Sequence, residues 1–119
     1  MKKILVAEDN DSNFILMTYI LKKYYQFDRA KNGKEAVEMV DKTKYDIVLM
    51  DIKMPVMDGL EATKAIKEKY PDLPVVALTA NAFDSDRQLA FDAGCNDFLS
   101  KPVSSDACLQ TIKNLVGED

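Results

Sequence analysis

Histidine is absent from the 119 residues of this chain. Its absence excludes metal sites with imidazole ligands, catalysis by a Ser-His or Cys-His pair, and a phosphohistidine formed on this chain. Cysteine is scarce: Cys95 and Cys108 are the two present, and they form no C-x-x-C motif. We predict reduced, partly buried thiols for both.

The chain also lacks a long apolar run and a basic stripe. No run approaches the roughly 18–20 apolar residues that span a bilayer. The start, Met1-Lys2-Lys3 with four apolar residues after it, is too short for a secretory signal. The net charge of −4 argues against direct nucleic-acid binding. We therefore expect a cytoplasmic location, no membrane contact and no direct nucleic-acid contact.

Apolar runs alternate with amphipathic stretches along the chain, whose length predicts one domain over residues 1–119. The repeated strand-then-helix order predicts right-handed crossovers and a doubly wound α/β fold, in which helices cover both faces of a five-stranded parallel sheet. We expect the strand order 2-1-3-4-5. The predicted strands lie near 3–8, 27–30, 46–51, 74–79 and 97–101, and the predicted helices near 12–25, 33–43, 58–69, 84–93 and 104–116.

Three helix boundaries have a recognisable local signal. Asn32 with Glu35, and Asp58 with Glu61, each pair a cap residue with an acid three positions on, which resembles a capping box. Gly94 stands where the fourth helix is expected to end in a left-handed residue.

Polar side chains follow four of the predicted strands. The first ends on Glu8-Asp9, the third on Asp51, the fourth on Thr79 and the fifth on Lys101. Because the carboxyl ends of parallel strands share one edge, and ligands bind there in open α/β folds, we expect these groups in one pocket. Taken singly, each is more commonly a turn, cap or surface residue, but that interpretation does not explain their shared position.

Three carboxylates in one pocket need a compensating charge. Two like charges about 4 Å apart repel by roughly 4 kcal/mol at an effective dielectric constant near 20. Either a carboxyl group is protonated or a cation binds. An oxygen-only site favours a hard ion, and we predict Mg²⁺, with Mn²⁺ as the alternative. Lys101 can offset part of the charge without metal.

Four motifs occur in a fixed order along the chain. They are Ile4-Leu5-Val6-Ala7-Glu8-Asp9-Asn10; Asp51 with Met54-Pro55 and Asp58-Gly59; Ala77-Leu78-Thr79-Ala80; and Lys101-Pro102. Over essentially its whole length the sequence resembles the receiver domain of two-component response regulators, which has a flavodoxin-like fold of the chemotaxis-regulator type. Such a domain is a signalling module that catalyses only its own phosphorylation and dephosphorylation.

The resemblance implies a role for each site residue. Asp51 would accept the phosphoryl group, and Mg²⁺ would be held by Glu8, Asp9, Asp51 and the backbone carbonyl of Lys53. Lys101 would contact the phosphoryl oxygens and precede a cis peptide bond to Pro102. Thr79 and Phe98 would form the conformational switch, although Phe98 lacks the hydroxyl of a tyrosine. Lys53 and Asn81 would tune autodephosphorylation.

The resemblance also implies partners. Because the chain has no histidine, the phosphohistidine must come from a histidine kinase or a histidine phosphotransfer domain. A homodimer would use the face formed by helix 4, strand 5 and helix 5. Two stretches look more like those of receivers attached to hybrid histidine kinases: Glu8-Asp9-Asn10 with Asn13, and Thr79-Ala80-Asn81-Ala82. The sequence leaves open whether this chain is a stand-alone protein or one domain of a longer one.

Helix 1 is apolar on more than one face. A core stripe fits Leu16, Met17, Ile20, Leu21 and Tyr24. Phe14, Ile15 and Tyr19 are then surplus, and we expect them to be at least partly exposed. They are either scattered surface residues or a docking patch, with Asn13, for the phosphotransfer partner.

Three other classes of protein share parts of this pattern. A haloacid-dehalogenase-type phosphatase requires a second Asp two positions after Asp51, where this chain has Lys53. A flavodoxin-type binder requires a Ser/Thr/Gly-rich loop after strand 1, where this chain has acids. A degenerate receiver that acts only as a protein-binding module is the closest alternative.

Overall fold

A computed structural model of the chain describes residues 2–80 and 84–117. The elements alternate from strand to helix, as predicted. The strands are β1 (Lys3–Ala7), β2 (Gln26–Ala30), β3 (Ile47–Asp51), β4 (Val75–Thr79) and β5 (Asp97–Ser100). The helices are α1 (Asp11–Leu21), α2 (Gly33–Lys42), α3 (Gly59–Lys69), α4 (Asp84–Ala93) and α5 (Ser105–Val116).

The strands form one parallel sheet in the order β2-β1-β3-β4-β5, which confirms the predicted topology. Successive residues of a strand point to opposite faces, so β1 supplies Ile4 and Val6 to one core and Leu5 and Ala7 to the other. Helices α1 and α5 cover the first core, and α2, α3 and α4 cover the second. Among the described residues, no helix is long and apolar enough to cross a membrane.

The predicted helix boundary signals are confirmed. The Asn32 side chain accepts a hydrogen bond from the Glu35 amide at 2.8 Å, and the Asp58 side chain accepts one from the Glu61 amide at 2.9 Å. Each bond satisfies an amide that has no partner within its helix. Gly94, which follows α4, has a φ of 110°, a conformation that glycine adopts readily.

The prediction for α1 was wrong at its C-terminal end. The helix ends at Leu21 rather than near residue 25, and Tyr25 then turns into the core. Met17, Ile20 and Leu21 are buried as predicted, but Leu16 is 37% and Tyr24 53% exposed. The turn after Leu21 changes the direction of the chain, so helical spacing no longer places Tyr24 on the core face. Cys95 and Cys108 are free and buried, as expected.

Gly59 is expected to be the least replaceable residue at the start of α3. A Cβ atom built there would collide with the backbone carbonyl of Asp51, because the helix begins directly against the end of β3. We therefore expect Gly59→Ala to lower the free energy of unfolding by about 1–3 kcal/mol, measured by urea denaturation. Lys64→Ala, at an exposed position of α3, is the control. Equal stability of the Gly59→Ala variant and the wild type would contradict this close approach.

Candidate active site

The polar residues that follow the strands meet at one edge of the sheet, as the sequence predicts. Glu8 follows β1, Asp51 and Thr79 end β3 and β4, and Lys101 follows β5. They line a pocket of about 240 Å³, together with Asp9 and other residues. Glu8, Asp51 and Thr79 are 0%, 5% and 4% exposed, so the surrounding fold holds these groups away from bulk water.

Lys101 joins the two buried carboxylates. Its Nζ atom lies 2.9 Å from Oε1 of Glu8 and 3.0 Å from Oδ2 of Asp51. The contact with Glu8 is an ion pair without the geometry of a hydrogen bond. The peptide bond between Lys101 and Pro102 is cis, as the resemblance implied. One ammonium group thus bridges the ends of β1 and β3 from the far side of the pocket.

The electrostatics of this pocket favour the uptake of a cation or a proton. Burial, and then the close carboxylate of Asp51, raise the pKa of Glu8 to about 7, although Lys101 acts in the opposite direction. Burial acts to lower the pKa of Lys101, but the contacts with Glu8 and Asp51 outweigh it and raise that pKa. The lysine is therefore a permanent cation that only partly compensates the acids.

The acids at this edge fit a hard divalent cation. Glu8, Asp9 and Asp51 each present a carboxylate oxygen within 4.8 Å of the others. Glu8 Oε1 is buried and lacks a hydrogen-bond partner, while the side chain of Asp9 is exposed on the open side of the pocket. An all-oxygen set with one side open to water is the arrangement that Mg²⁺ prefers.

Lys53 lies in the loop after β3. Its backbone amide donates a hydrogen bond to Oδ1 of Asp51 at 3.2 Å, so this loop orients the carboxylate. The Lys53 side chain is exposed and lines the pocket. The assignment of its carbonyl to a metal remains a prediction. Asn81, the other residue expected to tune hydrolysis, lies outside the described residues.

Phe98 stands on β5, in register with Ala77 in the middle of β4. It is half-buried and packs against the core formed with α2, α3 and α4. The Phe91 ring meets it edge-on at 6.2 Å between centroids, and the Arg87 guanidinium lies 4.7 Å from its centroid. Phe98 therefore connects β5 with α4 through apolar and cation–π contacts, which need no hydroxyl group.

The expected docking residues lie at the pocket rim and along α1. Asn13 lines the pocket, and Phe14 is half-buried against the core. Ile15 is 53% and Tyr19 67% exposed, which confirms that α1 carries surplus apolar residues. The exposed surface of α1 thus adjoins the candidate site.

Arg29 was missed by the sequence reasoning. It lies on β2, and its guanidinium reaches the backbone of the loop that carries Glu8 and Asp9. No motif marks it; the sequence shows only a cation within the predicted strand near 27–30. A larger cleft, of about 620 Å³, lies between the ends of α2 and α3 and contains none of the site residues.

Comparison with known proteins agrees with this geometry. Residues 4–113 match the family model described as the response regulator receiver domain. The chain belongs to this family, whose members are phosphorelay signalling domains.

Relatives occur both inside long proteins and as short ones. The chain is 45% identical over 128 residues to hybrid signal transduction histidine kinase B of Dictyostelium discoideum. This alignment covers 95% of the chain but only 6% of the kinase. It is 34% identical over 120 residues to the polar-differentiation response regulator DivK of Brucella anthropi, with 98% of each chain covered. The chain therefore spans a small part of some curated relatives and nearly all of others.

Solved receiver structures share the fold. One is the receiver domain of sensor histidine kinase PA1611 from Pseudomonas aeruginosa, whose structure has a magnesium ion coordinated in the active-site cleft. It superposes on this chain with a TM-score of 0.92, at 33% identity and with 98% of each chain covered. The receiver domain of Saccharomyces cerevisiae Ssk1, crystallised with the histidine phosphotransfer protein Ypd1, has a TM-score of 0.91 at 31% identity, covering 97% of this chain and 88% of that one.

Proposed function

We propose that this domain is a phosphorylation-dependent switch that accepts a phosphoryl group on Asp51 from a phosphohistidine of a partner. The observation that carries the proposal is the double ion pair of Lys101, 2.9 Å from Glu8 and 3.0 Å from Asp51, beside a third carboxylate, Asp9. This arrangement supplies a nucleophile, a cation for the transferred group and oxygen ligands for a metal.

The positions of these groups support the following transfer. An Oδ atom of Asp51 attacks phosphorus, an aspartyl P–O bond forms, and the P–N bond to the partner's imidazole breaks with its electron pair returning to nitrogen. Lys101 neutralises charge on the phosphoryl oxygens, and the Thr79 hydroxyl donates a hydrogen bond to one of them. Glu8, Asp9, Asp51 and the Lys53 carbonyl would hold Mg²⁺, which would supply further charge neutralisation when bound.

Hydrolysis resets the switch. Water attacks phosphorus, inorganic phosphate leaves, and the Asp51 carboxylate is restored. We propose that Lys53 and Asn81 set the rate of this step, and that Lys53 does so because its side chain stands at the open side of the pocket.

The signal is proposed to leave the site through Thr79 and Phe98. Movement of the Thr79 hydroxyl towards the phosphoryl group would free space beside β5, into which the Phe98 ring turns. Since Phe98 contacts Phe91 and Arg87, such a rotation would change the surface of α4. Leu89 and Phe91, 51% and 40% exposed, would then contribute to a homodimer face of α4, β5 and α5.

The phosphodonor is proposed to dock on α1. The partner in the solved Ssk1 complex is a histidine phosphotransfer protein, and α1 of this chain exposes Ile15 and Tyr19 close to Asn13 at the pocket rim. An apolar helix surface next to the acceptor would bring the partner's phosphohistidine to Asp51. Asn13, Phe14 and Ile15 are the residues proposed to meet it.

The test of this function uses a phosphorylated partner. A histidine phosphotransfer domain carrying radiolabelled phosphohistidine is mixed with this chain and Mg²⁺, and the label on each protein is followed by gel electrophoresis. We expect label to move to the wild type but not to the Asp51→Asn variant. Failure of several such donors to label the wild type would instead favour a protein-binding module without phosphorylation.

Mg²⁺ is expected to stabilise the folded chain. Binding to the native state alone adds about 2.7 kcal/mol at a concentration 100 times the dissociation constant. The melting temperature, measured by calorimetry, should rise with millimolar MgCl₂ but not with NaCl of equal ionic strength. Asp9→Asn should abolish the rise, since it removes one of the three carboxylates. A melting temperature that is indifferent to Mg²⁺ would contradict the proposed metal site.

A further inference from the structure

Arg29, on the neighbouring strand β2, binds the backbone of the loop between β1 and α1. Its Nε atom donates to the backbone carbonyl of Glu8 at 3.1 Å, and its Nη2 atom donates to the carbonyl of Asp9 at 3.3 Å. The same Nη2 atom lies 2.9 Å from Oδ1 of Asp11. One guanidinium thus holds two consecutive peptide units and the first residue of α1.

The guanidinium is itself fixed by its surroundings. Its central carbon lies 4.6 Å from the centroid of the Phe14 ring, which meets the Phe27 ring edge-on at 6.1 Å between centroids. The Arg29 side chain is 17% exposed, and its Cα is in register with Val6 of β1. A planar fork stacked on an aromatic ring loses little entropy when it forms its hydrogen bonds.

Arg29 contacts the backbone of Glu8 and Asp9 and not their carboxylate groups. It binds the carbonyls of Glu8 and Asp9, while their side-chain oxygens converge with that of Asp51. The Asp9 side chain is exposed, so the backbone of the loop sets the direction of its carboxylate. A residue that fixes this backbone therefore fixes two of the three oxygen donors.

We propose that Arg29 is a positioning residue for the divalent cation, which holds the loop in the conformation that aims Glu8 and Asp9 at Asp51. This inference rests on the proposed function, because Mg²⁺ is the ion that the carboxylates take. The direction of the change in Mg²⁺ affinity when Arg29 is replaced distinguishes this role from a simple charge effect. A cation near three carboxylates repels Mg²⁺, so electrostatics alone predicts tighter Mg²⁺ binding once Arg29 is removed.

The test compares Arg29→Lys, which keeps the charge but loses the fork, with Arg29→Gln, which loses both. Isothermal titration calorimetry gives the Mg²⁺ dissociation constant of each folded variant. Both substitutions are expected to weaken Mg²⁺ binding about 10-fold, as is usual for residues that orient metal ligands. Asp11→Asn keeps both carbonyl contacts and removes only an exposed partner, so it should stay within about 2-fold of the wild type.

A second readout requires no metal. In EDTA, the amides of Asn10 and Asn13, which donate to Glu8 Oε2 and Asn10 Oδ1, should exchange with deuterium faster in Arg29→Lys than in the wild type. The amides of β4 should exchange at the wild-type rate. A uniform acceleration over the whole chain would overturn the positioning role and show a structural one.

The outcomes separate the two proposals. Unchanged Mg²⁺ affinity in Arg29→Lys, or tighter binding in Arg29→Gln, overturns the role of Arg29 while the wild type still binds Mg²⁺ and is phosphorylated. A wild type that binds no Mg²⁺ overturns both the metal site and the role of Arg29.

Discussion

Replacing Lys101 by Met is expected to slow phosphorylation of Asp51 by about 10²–10³-fold, the usual effect of removing one preorganised group from a charged transition state. The Nζ atom of Lys101 lies 3.0 Å from Oδ2 of Asp51. Methionine keeps an unbranched apolar side chain of similar length, so the pocket wall is retained. The initial rate at saturating Mg²⁺ and a fixed phosphodonor concentration measures the effect.

Mg²⁺ binding should survive this substitution, because Lys101 competes with the metal for Glu8 and Asp51. The variant should therefore bind Mg²⁺ at least as tightly as the wild type while it accepts phosphate slowly. Lys64→Met, the same chemical change at an exposed position of α3, is the matched control and should keep the wild-type rate. A Lys101→Met variant that is phosphorylated as fast as this control would contradict the assigned role of Lys101.

Asp51→Asn is expected to abolish phosphorylation and, in metal-free buffer, to raise the stability of the fold. Most substitutions at a residue that is 5% exposed are destabilising. Here the amide removes a buried negative charge that repels Glu8, and Lys101 keeps its ion pair with Glu8. We expect an increase of about 1 kcal/mol in the free energy of unfolding in EDTA at pH 8, measured by urea denaturation.

The matched control for this prediction is Asp28→Asn on β2. Asp28 accepts a hydrogen bond from the Tyr45 hydroxyl at 2.7 Å and lies 3.4 Å from Nζ of Lys3, so its charge is favourable where it stands. The substitution should lower stability or leave it unchanged. If Asp51→Asn destabilises the metal-free protein as much as Asp28→Asn does, Asp51 has a structural role.

The positions of the site residues could be predicted because they depend on topology alone. In a parallel sheet every strand delivers its last residue to the same edge, so Asp51, Thr79 and Lys101 needed only correct strand ends to be brought together. The cap residues Asn32 and Asp58 were equally predictable, since each acts within one helical turn.

Contacts that depend on the path of the chain in space were not predictable. The length of α1 and the exposure of Tyr24 depend on a turn after Leu21 that the apolar spacing does not show. The contacts of Arg29 require that β2 lie beside the β1–α1 loop with a particular register. The close approach of Gly59 to Asp51 is likewise a property of the folded backbone.

Phosphorylation of Asp51 is tested most directly by intact mass spectrometry of the chain after incubation with acetyl phosphate and MgCl₂. We expect the wild type to gain the mass of one phosphoryl group, EDTA to prevent the gain, and Asp51→Asn to stay at its original mass. A wild type that gains no phosphoryl group, or an Asp51→Asn variant that is modified equally well, would contradict the assignment of Asp51 as the phosphoacceptor.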